Sequence, residues 1–177
     1  MSSLQKFHRR TNGGAAPPPW PATAIGCGDI THGFWLGTAS DGTSKLISAP
    51  KSTDAQRAWG SSGTYRNVSS TTDGLANTNT LYAFGSAAHP AAYYAKSLTT
   101  GGYNTWYLPA KDELMTMYSN KSAVPFAPAN AFADDIFWSS TERFGTTAWY
   151  LDMPYGSQSS GNKGSSSYVR AVRRTAV

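Results

Sequence analysis

The segment 137–174, close to the C-terminus, constrains the fold of this chain more than any other part. It opens with FWSSTE and closes with YVRAVRR. Large apolar side chains recur at every second position of its middle part, at Trp149, Leu151 and Met153. The residues that alternate with them should face the other way: Tyr150, Asp152 and, beyond Pro154, Tyr155. The segment therefore predicts a β-strand with an apolar inner face and a polar, tyrosine-bearing outer face.

The run of small polar residues at 156–167 has two interpretations. It is either a flexible hairpin loop or a loop that contacts a ligand. We favour the second, because the run is expected to face the same way as Tyr150, Asp152 and Tyr155. Contact surfaces of binding proteins combine tyrosine with small polar side chains. Phe144 and Tyr155 are the best anchor candidates, because neither fits the inward alternation. The predicted contact surface comprises Arg143, Phe144, Thr146, Thr147, Tyr150, Asp152, Tyr155, Ser157, Gln158, Ser160, Asn162, Lys163 and Ser165.

The composition favours one loop-rich domain that is stabilised by its core alone. Hydrophobic residues make up 40% of the chain, and 17 Gly with 10 Pro disfavour a helical bundle. A single cysteine, Cys27, excludes an intramolecular disulfide framework and a cysteine-rich zinc site. We expect the tryptophans at 106, 138 and 149 to lie in the core. The net charge of +5 is concentrated near the two ends of the chain without a basic stripe across it, so nucleic acid is not an expected partner.

Local signals predict an α+β domain with an antiparallel sheet. Two strands, near 33–37 and 45–50, flank a turn at Asp41-Gly42, and 55–59 is assigned a short helical turn. A helical region at 75–98 is interrupted at Gly85-Ser86, with Ser86 as the N-cap of its second half and Pro90 in the first turn. Pro109 is assigned the first position of the next helix, which Asn120, Pro125 and Pro128 end. Asp112 and Glu113 favour the start of that helix, and Leu114, Met117 and Tyr118 form its buried face.

The first 25 residues are interpreted as an extended, proline-rich arm that precedes a domain at 26–177. The arm is either a disordered leader or a docking arm, in which Phe7, Pro18 and Trp20 contact a partner. No apolar segment is long enough to span a membrane, and the polar, basic N-terminus lacks a signal-peptide core. We therefore expect synthesis in a cytoplasm without export and no membrane insertion.

Four motifs resemble the Lcl C-terminal-like domain family: WYLPAKDEL at 106–114, FWSSTE at 137–142, Ala148-Trp149, and YVRAVR at 168–173. The resemblance covers roughly residues 26–174 in matching order. It implies a C-type-lectin-like fold with two main helical regions and short antiparallel strands. Many members of the family are phage tail-fibre or receptor-binding proteins, and others are bacterial adhesins. The segment 138–173 also resembles the variable region of tropism determinants that retroelements diversify.

The resemblance implies a phage virion protein, in a tail fibre or tail tip, that binds a glycan or protein receptor on the host cell. The short tail before the domain implies docking on other virion tail proteins, and a homotrimer is expected by analogy. The alternative is a structural virion component, in a collar, baseplate or capsid decoration, without receptor contact. Calcium is not expected, because Glu142 and Asp152 lack the spacing of calcium ligands.

An enzyme is the third hypothesis, and we regard it as the weakest. Sulfatase-modifying enzymes share the lectin-like fold but act through cysteines, and the histidines at 8, 32 and 89 form no Ser/His/Asp set with supporting spacing. Adjacent Asp134 and Asp135 point to opposite faces of an extended strand. Glu113 and the Arg170/Arg173 pair are assigned to structure, the arginines as loop caps or as partners of carboxylates. No catalytic residue, metal or cofactor is therefore expected.

Overall fold

The computed structural model describes residues 25–26, 28–122 and 131–176, and within them the chain forms two β-sheets and three α-helices. The first sheet has the order β1-β2-β3-β9 and the second has the order β4-β8-β5-β6-β7. The α+β class is as predicted. The elements in chain order are β1 (Gly28–Asp29), β2 (Gly33–Thr38), β3 (Ser44–Ser48), β4 (Ala55–Ala58), α1 (Gly74–Tyr82), α2 (Pro90–Ser97), α3 (Lys111–Ser119), β5 (Ile136–Glu142), β6 (Thr147–Asp152), β7 (Ser157–Asn162), β8 (Ser166–Val169) and β9 (Val172–Ala176).

The predicted hairpin at Asp41-Gly42 joins β2 to β3. Asp41 Oδ1 accepts hydrogen bonds from the amides of Thr43 and Ser44, at 2.9 and 2.8 Å. These bonds lower the pKa of Asp41 to about 2. Gly42 has a φ of 73°, which a side chain would strain. The hairpin then pairs through β3 with β9, so that the first and last strands of the domain share one sheet.

The second sheet differs from the sequence-based expectation at two places. Residues 55–58 form β4, a strand that pairs with β8, so the predicted helical turn is wrong. Pairing with a strand more than a hundred residues away overrides the local preference of this short segment. In addition, β5 runs parallel to β8, with Phe137 opposite Tyr168, whereas the other pairings are antiparallel.

The helical region at 75–98 divides into α1 and α2 at Gly85, which has a φ of 85°. Asp73 caps α1 by accepting a hydrogen bond from the amide of Ala76 at 3.1 Å. The N-cap of α2 is His89, with Pro90 at the first helical position, so the assignment of Ser86 is wrong. Ser86 is exposed in the preceding turn, and the imidazole of His89 turns inward instead of capping the helix.

Helix α3 begins at Lys111, two residues later than predicted, and Ala110 is its N-cap. Alanine has no side-chain acceptor, and Glu113 reaches back instead, with Oε2 accepting from the amide of Ala110 at 2.9 Å. Glu113 Oε1 accepts from the hydroxyl of Tyr107 and from Nη2 of Arg174, each at 2.8 Å. Burial and the charge of Glu113 raise the pKa of Tyr107. Leu114 and Met117 are buried and Tyr118 is half-buried, as predicted, and Asn120 is the C-cap.

Strand β5 separates two hydrophobic clusters, because its neighbouring residues point to opposite sides. Trp138 joins Trp59 and Trp106 in a cluster with the alanines of α2. Phe137 joins Leu151 in a second cluster, which α3 and the first sheet complete. Trp106 and Trp138 are therefore core residues, as predicted.

Several predictions fall outside the described residues. Pro125 and Pro128, and the docking residues Phe7, Pro18 and Trp20 of the arm, belong to this group. Docking through the arm stays a prediction. In the part of the chain that the structure describes, no helix has the length and apolar character to cross a membrane.

Replacing Glu113 with alanine should strongly destabilise the domain. The change leaves Arg174 without its buried partner and leaves the amide of Ala110, at the start of α3, without its acceptor. We therefore expect a loss of about 3–5 kcal/mol in the free energy of unfolding. Urea denaturation measures it. Asp112→Ala, in the same helical turn, is the matched control and should cost less than about 1 kcal/mol. Equal losses in the two variants would contradict the assigned role of Glu113.

Candidate contact surface

The side chains of β6 alternate as predicted, but both of its faces are covered in part. Leu151 is buried in the second cluster, and Trp149, on the same face, is half-buried. Tyr150, on the opposite face, packs edge-on against Trp138 with ring centroids 5.9 Å apart. Tyr150 is therefore half-buried against the first cluster, which corrects its placement on an open outer face. The reason is that the second sheet is packed on both sides, so neither face of β6 is simply outward.

Half of the polar run, residues 157–162, is the edge strand β7 and not a loop. Its register places Ser160 opposite Trp149, Gln158 opposite Leu151 and Ser159 opposite Tyr150. Because directly opposite residues share a face, Gln158 and Ser160 lie on the Trp149 side. The expectation that the whole run faces the same way as Tyr150 is thus wrong, since a paired strand sends alternate residues to opposite faces.

Lys163 is a buried structural residue, which corrects its assignment to the contact surface. It has no solvent exposure, and its ammonium pairs with the equally buried carboxylate of Glu142. The ammonium also donates to the carbonyl of Thr64 at 2.9 Å and lies 4.8 Å from the centroid of the Trp59 ring. Gln158 is half-buried and donates from Nε2 to the carbonyl of Lys111 at 2.8 Å, so it holds the start of α3 against the sheet.

Four side chains form a row between the middle of β6 and the turn before it, and we call them the cation–aromatic strip: Lys111, Trp149, Arg143 and Phe144. The Lys111 ammonium lies 4.4 Å from the Trp149 ring centroid, and the Arg143 guanidinium lies 4.8 Å from it. Arg143 is also 5.2 Å from the Phe144 ring and donates from Nη1 to Oγ of Ser160 at 2.8 Å. Phe144 is 59% exposed. Trp149, expected wholly in the core, instead forms the middle of this surface.

Lys111 and Arg143 each have an acidic neighbour in sequence, Asp112 and Glu142, and neither cation pairs with it. Glu142, next to Arg143, turns inward to Lys163 and is almost fully buried. Among the described residues, no carboxylate forms an ion pair with Lys111 or Arg143. The strip therefore presents positive charge and aromatic surface together.

A second group of exposed aromatic residues adjoins the strip through the turn 143–147. The carbonyl of Gly145 accepts from the amide of Gly63 at 3.0 Å, which brings the loop 61–68 beside the turn. In this loop Tyr65 is 51% exposed, and the guanidinium of Arg66 lies 4.0 Å from the ring of Phe84. The sequence carries no local signal that these residues or Lys111 come together, because each is brought in by a different long-range contact.

The remaining predicted residues lie at two separated ends of the β6–β7 hairpin. Thr146, Thr147, Asn162 and Ser165 are near the strip, whereas Asp152, Tyr155 and Ser157 are at the opposite end. The six residues of β6 place Phe144 and Tyr155 roughly 20 Å apart. Tyr155 is 79% exposed and lines an open groove with Asp134, Asp135, Asp152 and Lys121. The two predicted anchors therefore do not form one site.

Comparison with known proteins identifies a family model, described as the Lcl C-terminal domain, that matches residues 53–173. The match includes all four residues of the strip and the loop 61–68. No curated protein matches the chain. Within the described residues, no cluster of three or more His, Cys, Asp or Glu side chains has the arrangement of a metal site.

Lys163→Met tests the buried role of this residue. The change leaves the Glu142 carboxylate buried without a cation, and we expect a loss of about 3–5 kcal/mol in the free energy of unfolding. The double variant Lys163→Met/Glu142→Gln removes both charges and should recover much of that loss. Chemical denaturation measures all three proteins. Lys111→Met is the control at a half-buried lysine without a carboxylate partner among the described residues, and it should cost about 1 kcal/mol or less. A similar loss in both lysine variants would contradict the assignment.

Proposed function

Because the chain belongs to the Lcl C-terminal domain family, we propose that it is a phage tail protein that binds a receptor on the host-cell surface through its cation–aromatic strip. The resemblance of its motifs to phage receptor-binding proteins supports the phage assignment. The strip is the structural observation on which the position of the proposed binding site rests.

The strip has the properties of a preorganised contact surface. Trp149 is anchored in the middle of β6, and Arg143 is held between two rings and the hydroxyl of Ser160. Rigid aromatic residues supply contact area at a low cost in conformational entropy. The exposed ring of Phe144 extends this area, and the exposed ring of Tyr65 lies in the loop that bonds to the neighbouring turn. A receptor with apolar patches and hydrogen-bond acceptors, in a glycan or a protein, fits such a surface.

A strip of four side chains offers a small contact area, so we infer weak individual sites and useful affinity through several copies. Linking sites raises the overall affinity without new contacts. A homotrimer, in which the C-type-lectin-like domains sit at a tail tip, is part of the proposal. So is docking on other virion tail proteins through the arm with Phe7, Pro18 and Trp20.

Catalysis is not part of the proposal, and neither is a cofactor. Glu113, the acid that the sequence singles out most clearly, has its carboxylate engaged by Ala110, Tyr107 and Arg174. Arg170 is likewise engaged by Asp54, with Nη2 and Oδ2 2.6 Å apart. These groups support the scaffold.

A structural virion role without receptor contact is the second candidate. It is favoured by apolar exposure away from the strip, since Ile30 is 70% exposed at the turn between β1 and β2. A neighbouring virion protein would cover such a residue. The two candidates differ in whether the strip is free in the assembled virion.

The double variant Arg143→Ala/Phe144→Ala should lose attachment to host cells. We expect the apparent affinity of the labelled protein for a panel of candidate host bacteria to fall by about tenfold or more, because central aromatic and arginine side chains dominate binding energies. Flow cytometry measures the bound protein.

Tyr155→Ala, at the opposite end of the hairpin, is the matched control and should bind as the wild type does. Loss of attachment in the control but not in the double variant would move the site to the other end of β6. If neither the variants nor the wild type attached to any host, and the strip were covered in virions, the structural role would be favoured.

A further inference from the structure

We propose that His89, buried between Arg66, Glu142 and Lys163, is an acid-sensitive latch that holds the loop 61–68 on the domain and releases it on protonation. The latch is a property of the fold and does not depend on the proposed function. Only its consequence for attachment rests on that function.

The latch depends on His89 acting as a hydrogen-bond acceptor. The residue has no solvent exposure, and its Nε2 accepts a hydrogen bond from Nε of Arg66 at 3.1 Å. A ring nitrogen accepts only when it carries no proton. Protonation of Nε2 would place its N–H against the N–H of Arg66 Nε, so the hydrogen bond would be lost. The imidazole is therefore neutral when the loop is closed.

Two of the three charged groups near His89, Arg66 and Lys163, oppose its protonation, whereas the Glu142 carboxylate favours it. Arg66 comes from the loop, Lys163 from the turn after β7 and Glu142 from the end of β5. The Glu142 carboxylate is already paired with Lys163. A protonated His89 would be a third cation, beside Arg66 and Lys163, next to this single carboxylate. The other elements packed on the imidazole supply aromatic rings, with the centroids of Trp59 and Phe84 5.3 and 5.9 Å away. Protonation of His89 is therefore less favourable in the closed state than in the released state.

Burial, followed by the charges of Arg66 and Lys163, lowers the pKa of His89 from 6.5 to about 4. The released state keeps the ordinary pKa, so it binds more protons than the closed state between these two values. The closed state therefore loses stability as the pH falls from 6.5 towards about 4, with no further loss below. The difference corresponds to a change of about 300-fold in the closing equilibrium.

The loop 61–68 is bonded to the same charged residues, so protonation of His89 would act directly on the attachment of the loop. The amide of Arg66 donates to both carboxylate oxygens of Glu142, at 2.9 and 2.8 Å. The carbonyl of Thr64 accepts from Lys163 at 2.9 Å, and Gly63 bonds to Gly145 in the turn that carries Arg143 and Phe144. Opening of the loop would remove Tyr65 from its place beside the strip and would release that turn.

Amide hydrogen exchange, corrected for its chemical pH dependence, tests the latch in the full chain. Between about pH 7 and about pH 4 we expect protection of the amides at 61–68 to fall by up to about 300-fold. In His89→Gln, which keeps an acceptor but does not titrate, the protection should not change with pH. His32→Gln is the control and should behave as the wild type does.

Protection of the loop that is independent of pH in the wild type would overturn the proposal, as would an unchanged pH dependence in His89→Gln. If that variant does not fold, an NMR titration of the wild-type histidines decides, and a His89 pKa near 6.5 would refute the latch. Attachment to host cells at the two pH values is a separate readout. Loss of attachment at every pH with a functioning latch would count against the proposed function alone.

Discussion

Three buried carboxylates, each paired with a basic side chain from the segment 163–174, hold the distant parts of this domain together. The pairs are Asp54 with Arg170, Glu113 with Arg174, and Glu142 with Lys163. Each carboxylate comes from a different part of the chain, and each would be costly to bury alone. The geometry of the last segment therefore positions β4, the start of α3 and the end of β5 at the same time. These ion pairs give the family motifs around these residues a structural role in the scaffold.

The proposed contact surface is a consequence of how these internal charges are used. Glu142 faces inward to Lys163, and the next residue, Arg143, consequently faces outward on the adjoining turn. There it stacks between Trp149 and Phe144 instead of pairing with an acid. A domain with few charged residues thus neutralises several inside and leaves cations among aromatic rings outside. That combination suits the recognition of a foreign surface.

His89 differs from the three ion pairs because it holds its position without charge. Its hydrogen bond with Arg66 needs a neutral ring, whereas the ion pairs need charged partners. In the proposed latch, the attachment of the loop 61–68 depends on this neutral ring as a hydrogen-bond acceptor. The proposed contact surface and the proposed latch meet at the bond between Gly63 and Gly145.

The sequence by itself determined the features that neighbouring residues decide. The turn at Asp41-Gly42, the helix that Glu113 stabilises, the alternation along β6 and the burial of Trp106 and Trp138 follow from local conformational preferences and side-chain periodicity. Only the tertiary structure decided the partners of each strand. It made a strand of the polar run 157–162, buried Lys163, and left Trp149 at the surface between Lys111 and Arg143. The physical reason is that register and ion pairing depend on residues that are far apart in the chain, which local pattern does not encode.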